Sequence, residues 1–437
     1  MLRRLIKKIV PAPVLHALLP AYHLGLVWLG FIIFRFPSHK IKIVGVTGTK
    51  GKSSVCEYVN AILEHAGHKT ALMSTIRFKV GADTRPNKLK MTMPGRFFIQ
   101  RLLRRAVNSG CDWVVLEMTS EGTKQFRHLG LQLDALIFTN IAPEHIESHG
   151  SYADYVAAKF KIARVLEKSR KRPRIMIANA DDEYGPDFLS LLVEQAVPYS
   201  LADAKPYTVN ESGVSFTFEG QKVHSPIRGE FTVYNMLAAA TFARAAGSPL
   251  SAIEQGLGSC TSVPGRVEMI DEGQPFKVVV DYAHTPESLE KLYQAFPADK
   301  KICVLGNTGG GRDTWKRPKM GALAEQYCSH VILTDEDPYD EDPRLIVEEM
   351  ADGMKRQPEI LMDRRRAMRR AFSLAQERTL RRAQGDKNNI VVLITGKGTD
   401  PYIMRANDAR EEWSDAEVAR EELRLLFGFK KSSMGES

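Results

Sequence analysis

The sequence is poor in cysteine and has no cysteine pair at metal-binding spacing. Its five cysteines lie far apart and form no C-x-x-C pair: Cys56, Cys111, Cys260, Cys303 and Cys328. This spacing predicts neither a zinc site nor a disulfide framework, and it fits a reducing cytoplasm. No repeat or low-complexity tract appears, and the sequence carries no signal of a serine–histidine–aspartate triad.

The chain also lacks a large excess of one charge. Lysine and arginine outnumber aspartate and glutamate by 61 to 52, for a formal net charge of +9. This excess suits anionic ligands such as nucleotides or acidic lipids, but it is too diffuse to indicate nucleic-acid binding. With 437 residues, 43% of them apolar, two or three domains are expected. No obligate protein partner is implied.

One long hydrophobic run stands near the N-terminus. The segment Pro11–Phe34 has no formally charged residue, and basic residues flank it on both sides. Three prolines, the flanking charges and the absence of a small-residue cleavage site argue against a simple membrane crossing. We therefore expect residues 1–39 to be a basic, hydrophobic arm at the cytoplasmic face of the plasma membrane. The alternative is an arm packed on the protein's own surface.

From Lys40 onward, short apolar runs alternate with helical patterns. Strands buried on both faces and separated by helices are typical of parallel α/β sheets. The predicted strands are residues 41–46, 113–117, 135–139, 174–178, 277–281, 301–306, 330–334 and 390–396. The segment Gly258–Arg266 is rich in turn-forming residues and separates two series of strands, so we expect a domain boundary there.

A glycine-rich loop follows the first of these strands. The stretch IVGVTGTKGKSS, residues 43–54, nearly matches the phosphate-binding pattern G-x-x-x-x-G-K-[ST], but Val46 stands where the first glycine belongs. The strand–loop–helix context predicts a phosphate cradle built from backbone amides and a helix N-terminus. Lys52 would reach the β- and γ-phosphates, and the Ser53 hydroxyl would bind Mg²⁺. The alternative is a glycine-rich turn before a helix.

The displaced glycine is the point at which a family resemblance appears. T-G-T-x-G-K-[ST] after a strand resembles the Mur ligases, the ATP-dependent amide-bond-forming enzymes of peptidoglycan synthesis, and the related enzymes that polymerise glutamate onto folate or build cyanophycin. The resemblance runs from residue 41 to residue 405. It implies an α/β fold with a central P-loop ATPase domain, residues 40–262, and a Rossmann-like amino-acid-binding domain, residues 263–437. It also implies ATP and Mg²⁺ as cofactors.

Residues downstream of the loop resemble the family's metal site. Glu117 ends a predicted strand, and His145 and Lys159 lie in the run FTNIAPEHIESHGSYADYVAAKFKI. A strand-end carboxylate and a neutral imidazole are suitable ligands for Mg²⁺. The resemblance implies that these two side chains bind metal together with Ser53. It also implies that the lysine of Y-x-x-x-K, here Lys159, is carbamylated and becomes an anion that can hold Mg²⁺.

The resemblance implies a nucleotide site as well. ANADD at 178–182 resembles a loop whose asparagine lies near adenine, and YN at 234–235, PGRVE at 264–268 and DYAHTPESL at 281–289 match in order. The residues implied to contact ATP are Gly48, Thr49, Lys50, Gly51, Lys52, Ser53, Ser54, Asn179, Asn235, Arg266, Asp281 and His284.

Within the family, the sequence is most similar to the member that adds the third amino acid of the stem peptide. MTMP at 91–94 resembles its Thr-Thr-Pro segment, with Met93 in place of one threonine, and MTSEGTKQFR resembles its muropeptide-binding run. The family's histidine in that run is Glu121 here. The residues implied to contact the muropeptide are Thr92, Pro94, Thr119, Ser120 and Arg127.

The C-terminal half resembles the part of these ligases that delivers the amino acid. GGGRDTWKRPKMG at 309–321 contains Arg312, which is implied to hold the α-carboxylate, a task suited to a bidentate guanidinium. A solvated basic loop is the alternative. The residues implied to bind the amino acid are Arg312, Asp337, Tyr339, Gly396 and Asp400.

The expected amino acid follows from a change in this region. Diaminopimelate-adding enzymes read D-N-P-R where this chain has Glu336, Asp337, Pro338 and Tyr339, so the arginine that grips the distal carboxylate is absent. Three acids, Glu336, Asp337 and Asp340, would repel a second carboxylate and attract a side-chain ammonium. Lysine or another diamino acid is therefore favoured, with diaminopimelate as the alternative, and an acidic surface turn would explain the segment without a ligand.

The resemblance has one large departure. Full-length family members carry a separate N-terminal domain that binds the UDP of the substrate, and only about forty residues precede the P-loop strand here, too few for such a domain. We expect either that other surfaces hold the UDP end or that the substrate is not a UDP sugar. The hydrophobic arm at the same position favours a lipid-linked muropeptide.

Together these features predict an ATP-dependent acid–amino acid ligase. The terminal carboxylate of a muropeptide would be phosphorylated, and the amine of the amino acid would attack the acyl phosphate to give amide, ADP and phosphate. A hinge near residues 258–266 would let the domains close. The alternatives are a folate-polyglutamylating or cyanophycin-type ligase and a non-catalytic, membrane-attached ATP-binding regulator. A regulator would have no use for Arg312, Lys159 and Asp400.

Overall fold

The computed structural model describes residues 25–26, 29–144, 146–311, 313–382 and 389–428, so most of the predicted arm lies outside it. The chain divides into two units. The first comprises Met1–Ala142, Tyr152–Asp203 and Tyr234–Leu257, and the second comprises Pro143–Ser151, Ala204–Val233 and Gly258–Ser437. The second unit thus includes two segments from the range 40–262, in addition to the C-terminal part of the chain.

The first unit is built on an eight-stranded sheet. Its strands are β1 Lys42–Thr47, β2 Thr70–Met73, β3 Arg77–Val80, β4 Asp83–Pro86, β5 Trp113–Glu117, β6 Ala135–Phe138, β7 Ile175–Asn179 and β8 Gln195–Tyr199. Their order is β4-β3-β2-β5-β1-β6-β7-β8, parallel from β2 to β8, with β3 and β4 antiparallel at one edge. The carboxyl ends of β2, β5, β1 and β6 therefore lie side by side.

Helices accompany the strands in both units. From Lys52 onward, the α-helices of the described residues are α1 Lys52–His65, α2 Arg96–Asn108, α3 Ser120–Lys124, α4 Ile146–His149, α5 Tyr152–Glu167, α6 Gly185–Leu189, α7 Glu230–Ala245, α8 Leu250–Ser259, α9 Pro286–Gln294, α10 Lys316–Tyr327, α11 Pro343–Ala351, α12 Arg364–Arg382 and α13 Asp415–Phe427. In α1, Val55, Val59 and Ile62 recur at helical spacing and are completely buried. Burial of this face holds the helix against the sheet, directly behind the glycine loop.

The second unit contains three sheets. A three-stranded antiparallel sheet consists of β9 Tyr207–Asn210, β10 Gly213–Phe218 and β11 Gln221–Ser225. The six-stranded sheet, ordered β12-β13-β17-β14-β15-β16, consists of β12 Glu268–Ile270, β13 Lys277–Asp281, β14 Asp299–Leu305, β15 His330–Leu333, β16 Glu359–Ile360 and β17 Asn389–Thr395. Its strands are parallel except β12. The two-stranded sheet pairs β18 Tyr402–Met404 with β19 Arg410–Glu412.

The predicted α/β fold class is confirmed. Each of the eight strands expected from sequence is present, with ends that agree to within about two residues, as is usual for strand boundaries. Some of the strands that were not predicted, such as β4 and β9, carry exposed polar residues instead of continuous apolar runs. Continuous apolar runs identified only the buried parallel strands.

The expectation drawn from the cysteines is corrected by the second unit. Cys303 in β14 and Cys328 at the end of α10 form a disulfide, with Cα atoms 6.1 Å apart and both side chains buried. The two residues are 25 positions apart in sequence. They meet because α10 runs back along the sheet between β14 and its parallel neighbour β15, a proximity that sequence spacing does not reveal.

Only the last part of the predicted arm is described. Residues 29–33 are helical, and Phe31 is buried where it packs against Gly130. Arg104 of α2 donates hydrogen bonds to the carbonyl oxygen of Phe34 at 2.6 and 2.8 Å. This part of the arm is therefore fastened to the first unit. No helix within the described ranges is both long and apolar enough to cross a membrane.

Candidate active site

The glycine loop of the first unit has the backbone conformation of a phosphate-binding loop. Gly48 has φ +147° and Gly51 has φ +83°, values that L-residues with side chains rarely adopt. Helix α1 begins at Lys52, directly after the loop. The amide groups of its first turn have no intrahelical acceptors and give the loop a positive end suited to phosphate.

The structure explains the displaced glycine. Val46 lies inside β1, is completely buried, and is paired with Glu117 on one side and Ile137 on the other. Glycine is required later in the loop: a Cβ atom at Gly48 would collide with the Thr139 hydroxyl, and one at Gly51 with the Asn235 amide. The loop is thus a variant in which the strand extends further and both essential glycines follow it.

Two residues at the end of β6 fasten the loop. The Asn140 side chain accepts a hydrogen bond from the Lys50 amide at 2.9 Å, and the Thr139 hydroxyl donates to the Lys50 carbonyl at 2.7 Å. The Thr49 amide donates to the Asn140 carbonyl at 2.7 Å. Lys50 therefore contributes its backbone to the loop, and Ser54 is buried in the first turn of α1.

Lys52 lies over the loop, as expected for a phosphate-binding lysine. Its Nζ donates to the carbonyl oxygens of Gly48 at 2.9 Å and Thr49 at 2.7 Å. Carbonyl oxygens are weaker partners for an ammonium than phosphate oxygens. The side chain is therefore placed so that it can exchange these contacts for the phosphates of a nucleotide.

Ser53 and Glu117 form an oxygen-rich pair beside the loop. The Ser53 hydroxyl donates to Glu117 Oε2 at 3.0 Å, and both side chains are buried. A hydroxyl and a carboxylate, completed by phosphate oxygens and water, are the donors that Mg²⁺ prefers, so the pair fits that ion. Among the described residues, no group of three histidine, cysteine, aspartate or glutamate side chains could hold a metal. The predicted ligand His145 lies outside the described residues.

Lys159 is buried against the same loop. Its side chain is 2% exposed, and Nζ donates to the Gly48 carbonyl at 2.7 Å and lies 4.7 Å from the centre of the Tyr155 ring. The Tyr155 hydroxyl lies 2.8 Å from the Thr49 hydroxyl. The Y-x-x-x-K motif thus places both side chains on the glycine loop, one helical turn apart on α5.

The remaining predicted nucleotide residues fall into two groups. In the first unit, Asn179 donates to the Thr139 carbonyl at 3.0 Å, and Asn235 packs against Gly51, as described above. In the second unit, Arg266 lies 4.5 Å from the centre of the Tyr282 ring.

The other two members of the second group form a short polar network. Asp281 accepts hydrogen bonds from the amides of Val267 and Ala283, both at 2.7 Å. His284 contacts the Glu144 carboxylate through Nε2 at 2.9 Å and the Tyr282 carbonyl through Nδ1 at 2.6 Å. Both nitrogens of the ring therefore face oxygen acceptors, an arrangement that the protonated imidazolium satisfies.

The predicted muropeptide residues meet near the start of α3. The Thr119 hydroxyl caps this helix by accepting from the Gly122 amide at 3.2 Å, and Ser120 is buried. The Arg127 guanidinium donates to the carbonyl of Met93, between Thr92 and Pro94. Burial lowers the pKa of Arg127 from its ordinary value, and the nearby Arg96 adds to the shift. The structure thus brings these predicted residues together on one side of the first unit.

In the second unit, the predicted amino-acid residues surround a buried lysine. Lys397 is completely buried, and its Nζ donates to Asp337 Oδ1 at 2.8 Å and to Asp400 Oδ2 at 3.2 Å. Gly396 has φ +106°, and a Cβ there would collide with the Glu336 carboxylate. Tyr339 is half-buried with φ +55°. Arg312 lies outside the described residues.

The expectation that three acids present open negative charge is corrected in part. Asp337 is paired with Lys397 and also accepts from the Met404 amide at 2.7 Å, so its charge is balanced within the fold. Burial raises the pKa of Glu336, which favours its neutral form. Asp340 is exposed and accepts from the Asn407 amide. The number of acidic residues in the sequence overestimated the negative charge of this segment, because Lys397 balances part of that charge.

Sequence reasoning missed four residues of these sites. Thr139 is the last residue of a predicted strand and Asn140 follows it, and polar residues at strand ends are the signal that could have identified them. Lys397 lies in the run GKGTD, residues 396–400, directly after the predicted residue Gly396, but only the structure shows that it bridges two acids. Thr75 lies two residues after β2, a strand that was not predicted, and it hydrogen-bonds both Glu117 oxygens.

A phosphate-binding loop at the carboxyl edge of a parallel sheet, an oxygen pair for a divalent cation and a second α/β unit define a P-loop ligase. The Mur ligase middle domain matches residues 46–243, and the Mur ligase, glutamate ligase domain matches residues 265–398. The chain belongs to the Mur ligase family. It is an ATP-dependent amide-bond ligase of peptidoglycan synthesis, and the family uses ATP and Mg²⁺.

Individual relatives agree with this assignment. The UDP-N-acetylmuramoyl-L-alanyl-D-glutamate–2,6-diaminopimelate ligase of Bacillus cereus is 32% identical over 88% of this chain and 78% of its own length. The enzyme of the same name from Geobacillus kaustophilus is 34% identical, over 88% of this chain and 79% of its own.

Solved structures support the fold. Folylpolyglutamate synthase of Mycobacterium tuberculosis has a TM-score of 0.66 at 15% identity, covering 95% of this chain and 99% of that one. MurF from Acinetobacter baumannii has a TM-score of 0.64 at 18% identity, covering 86% of this chain and 78% of that one. At these identities the likeness shows the fold alone.

Removal of the Lys52 ammonium tests the phosphate site. Lys52→Ala should lower ATP-dependent phosphate release by roughly a hundredfold or more, because a positioned charge on the transferring phosphoryl group is lost. The fold should persist, since the Lys52 ammonium donates to carbonyl oxygens of the loop and the residue is only partly buried. Lys168→Ala, at an exposed position after α5, is the matched control. Equal phosphate release by the two folded variants would contradict the assignment.

Proposed function

We propose that this ligase joins an amino acid to the terminal carboxylate of a muropeptide through an acyl phosphate. The supporting observation is that Lys52, Ser53 and Glu117 converge on one glycine loop, with Lys159 on its Gly48 carbonyl. An anionic substrate is phosphorylated at an oxygen, ADP leaves, and the amine nitrogen then forms the amide bond as phosphate departs. None of these steps requires a protein nucleophile.

Each residue has a role in that sequence of steps. Lys52 and the loop amides balance negative charge on the phosphoryl group during transfer. Ser53 and Glu117 would hold Mg²⁺, which supplies Lewis-acid stabilisation of the phosphate oxygens when bound. Thr92 and Arg127 would orient the acceptor so that its carboxylate faces the loop. Arg312 would hold the α-carboxylate of the incoming amino acid.

The amino acid that we propose is lysine or another diamino acid with one carboxylate. Each of the following cations hydrogen-bonds the segment 335–341 and is paired with a carboxylate of the protein: Arg317, Arg364, Lys397 and Arg405. A distal carboxylate of the substrate that bound to one of these cations would have to displace its partner. Two aspartates, Asp337 and Asp400, share one lysine, which leaves a net negative charge that favours an ammonium.

An amino-acid panel tests this preference. With a muropeptide acceptor and ATP, kcat/KM for L-lysine should exceed that for meso-diaminopimelate by at least roughly tenfold, because an unpaired carboxylate costs more than about 1.4 kcal/mol. Tyr339→Arg should shift the ratio toward diaminopimelate by supplying a cation, and Tyr339→Phe, which adds none, should leave it unchanged. A wild-type preference for diaminopimelate would overturn the proposal.

We further propose that Lys159 is carbamylated. Lys159 and Lys52 both donate to the single Gly48 carbonyl, at 2.7 and 2.9 Å, which brings two ammonium groups close together in a buried place. Two like charges at this separation repel each other. Reaction of the neutral Lys159 amine with CO₂ would form an N–C bond and release one proton. The resulting carbamate would be attracted to Lys52 and would add an oxygen donor beside Ser53 and Glu117.

Labelled bicarbonate tests the modification independently of activity. Protein equilibrated with ¹³C-bicarbonate should show a carbamate carbon signal that is absent from Lys159→Ala. Lys161→Ala, two positions along the same helix and exposed, should retain the signal and the activity. Short carboxylates should partly restore phosphate release to Lys159→Ala. If the signal is the same in wild type and Lys159→Ala, Lys159 is not carbamylated.

The arm is proposed to hold the enzyme at the cytoplasmic face of the plasma membrane, near a lipid-linked acceptor. Four large apolar side chains of residues 29–36 are exposed: Leu29 by 48%, Ile32 by 64%, Ile33 by 55% and Phe36 by 42%. Two basic residues, Lys171 and Arg170, lie near His39, which follows this apolar segment. Burial and then the charges of these two residues lower the pKa of His39. An apolar face beside cations suits an anionic bilayer surface.

Flotation with anionic vesicles tests membrane contact. The full chain should float, and Ile32→Glu should weaken binding by roughly tenfold, because burial of one isoleucine contributes about 1.5–3 kcal/mol. Leu192→Glu, at an isolated leucine of the same unit that is 77% exposed, is the control and should float like wild type. Activity with a soluble acceptor should be equal in all three proteins. A wild-type chain that ignores the vesicles would contradict this part of the proposal.

A further inference from the structure

Thr75 holds the candidate metal-binding carboxylate by both of its oxygens. The Thr75 amide donates to Glu117 Oε2 at 2.7 Å, and the Thr75 hydroxyl donates to Oε1 at 2.9 Å. With the bond from Ser53 at 3.0 Å, the carboxylate receives three hydrogen bonds and is 2% exposed. These two hydrogen bonds from Thr75 fix the plane of the carboxylate, because rotation about the Cγ–Cδ bond of Glu117 would break both of them.

The same hydroxyl contacts the segment expected to bind the acceptor. Thr75 Oγ1 lies 2.7 Å from Thr92 Oγ1. A hydroxyl has one proton to donate, and that of Thr75 is directed to Glu117, so Thr92 must be the donor in this pair. The hydrogen bonds therefore run in one direction, from Thr92 through Thr75 to Glu117, and Thr92 precedes the Met93 carbonyl that Arg127 binds.

The position of Thr75 follows from the sheet. It lies just beyond β2, next to β5, which ends at Glu117, and β5 in turn lies beside β1, which leads into the glycine loop. These three carboxyl ends lie at one edge, so a residue after β2 can reach a residue at the end of β5. Thr75 thus links the acceptor segment to the phosphate loop, although Thr92 lies 17 positions after it and the loop ends more than twenty positions before it in sequence.

We propose that Thr75 is a positioning residue that orients Glu117 for the divalent cation and couples occupation of the acceptor site to cation binding. The inference rests on the proposed role of Glu117 in holding Mg²⁺. Partners that hydrogen-bond a metal-ligating carboxylate orient it, and their removal typically lowers metal affinity by roughly 10- to 100-fold. A ligand that fixes the Thr92 hydroxyl also fixes the Thr75 hydroxyl that is hydrogen-bonded to it. Coupling of this kind is reciprocal, so cation binding would in turn strengthen acceptor binding.

The test measures Mn²⁺ binding by electron paramagnetic resonance in the ADP complex of the full chain, without turnover. Thr75→Val keeps the side-chain shape and the hydrogen bond from the backbone amide to Glu117, but it removes the hydroxyl. Mn²⁺ affinity should therefore fall by roughly tenfold. Thr75→Ser restores the hydroxyl and should bind Mn²⁺ like wild type. Thr84→Val, at an exposed threonine of the neighbouring β4, is the matched control and should have no effect.

A second measurement tests the coupling. Addition of N-acetylmuramoyl-L-alanyl-D-glutamate, a soluble acceptor probe that carries neither UDP nor lipid, should raise Mn²⁺ affinity in wild type and in Thr75→Ser. The increase should be lost in Thr75→Val and in Thr92→Val, and the double variant should lose no more than either single one.

The outcomes separate this inference from the proposed function. If Glu117→Gln binds Mn²⁺ as wild type does, the metal role of Glu117 fails and the inference fails with it. If Glu117→Gln loses Mn²⁺ while folded Thr75→Val retains full affinity, the ligase assignment stands and the positioning role is overturned. Should Thr75→Val not fold, Thr92→Val decides: an unchanged response to the acceptor probe in that variant overturns the coupling.

Discussion

The candidate active site depends on the close approach of the Gly48 backbone to the end of β6. No side chain fits between Gly48 and the Thr139 hydroxyl, so the loop lies directly on Thr139 and Asn140. This contact leaves the Gly48 carbonyl within reach of two lysines, one from α1 and one from α5. A larger residue at position 48 would move the loop off the strand and separate groups that act together.

A second constraint is the parallel order of the sheet. Because β2, β5, β1 and β6 are neighbours and point the same way, their carboxyl ends supply Thr75, Glu117, the glycine loop and Thr139 at one edge. In open α/β sheets ligands bind at this edge. Residues more than sixty positions apart in sequence, such as Ser53 and Glu117, come within hydrogen-bond distance through strand order alone.

What the sequence predicts, and what it leaves out, follows from the same physics. Buried parallel strands and a glycine loop have strong local signals, so the α/β class and the placement of Lys52 could be predicted. Lys159 carries no local signal as a lysine in a helix, and only the family motif singled it out. Thr75 and the Cys303–Cys328 pair have neither kind of signal, because their partners lie on other elements and depend on three-dimensional packing. Long-range hydrogen bonds and the disulfide are therefore the features that the structure reveals and the sequence does not.

The second unit shows why specificity is harder to derive than family membership. Asp337 by itself suggests a receptor for an ammonium. In the fold it neutralises Lys397, which also contacts Asp400, so a substrate meets the charge of the whole group and not that of one residue. A buried ion pair of this kind is costly to break, because removal of one partner leaves an uncompensated charge. Substitution of Asp337 would therefore change the state of Lys397 and Asp400 as well as the pocket, and preference for an amino acid is a property of the three residues together.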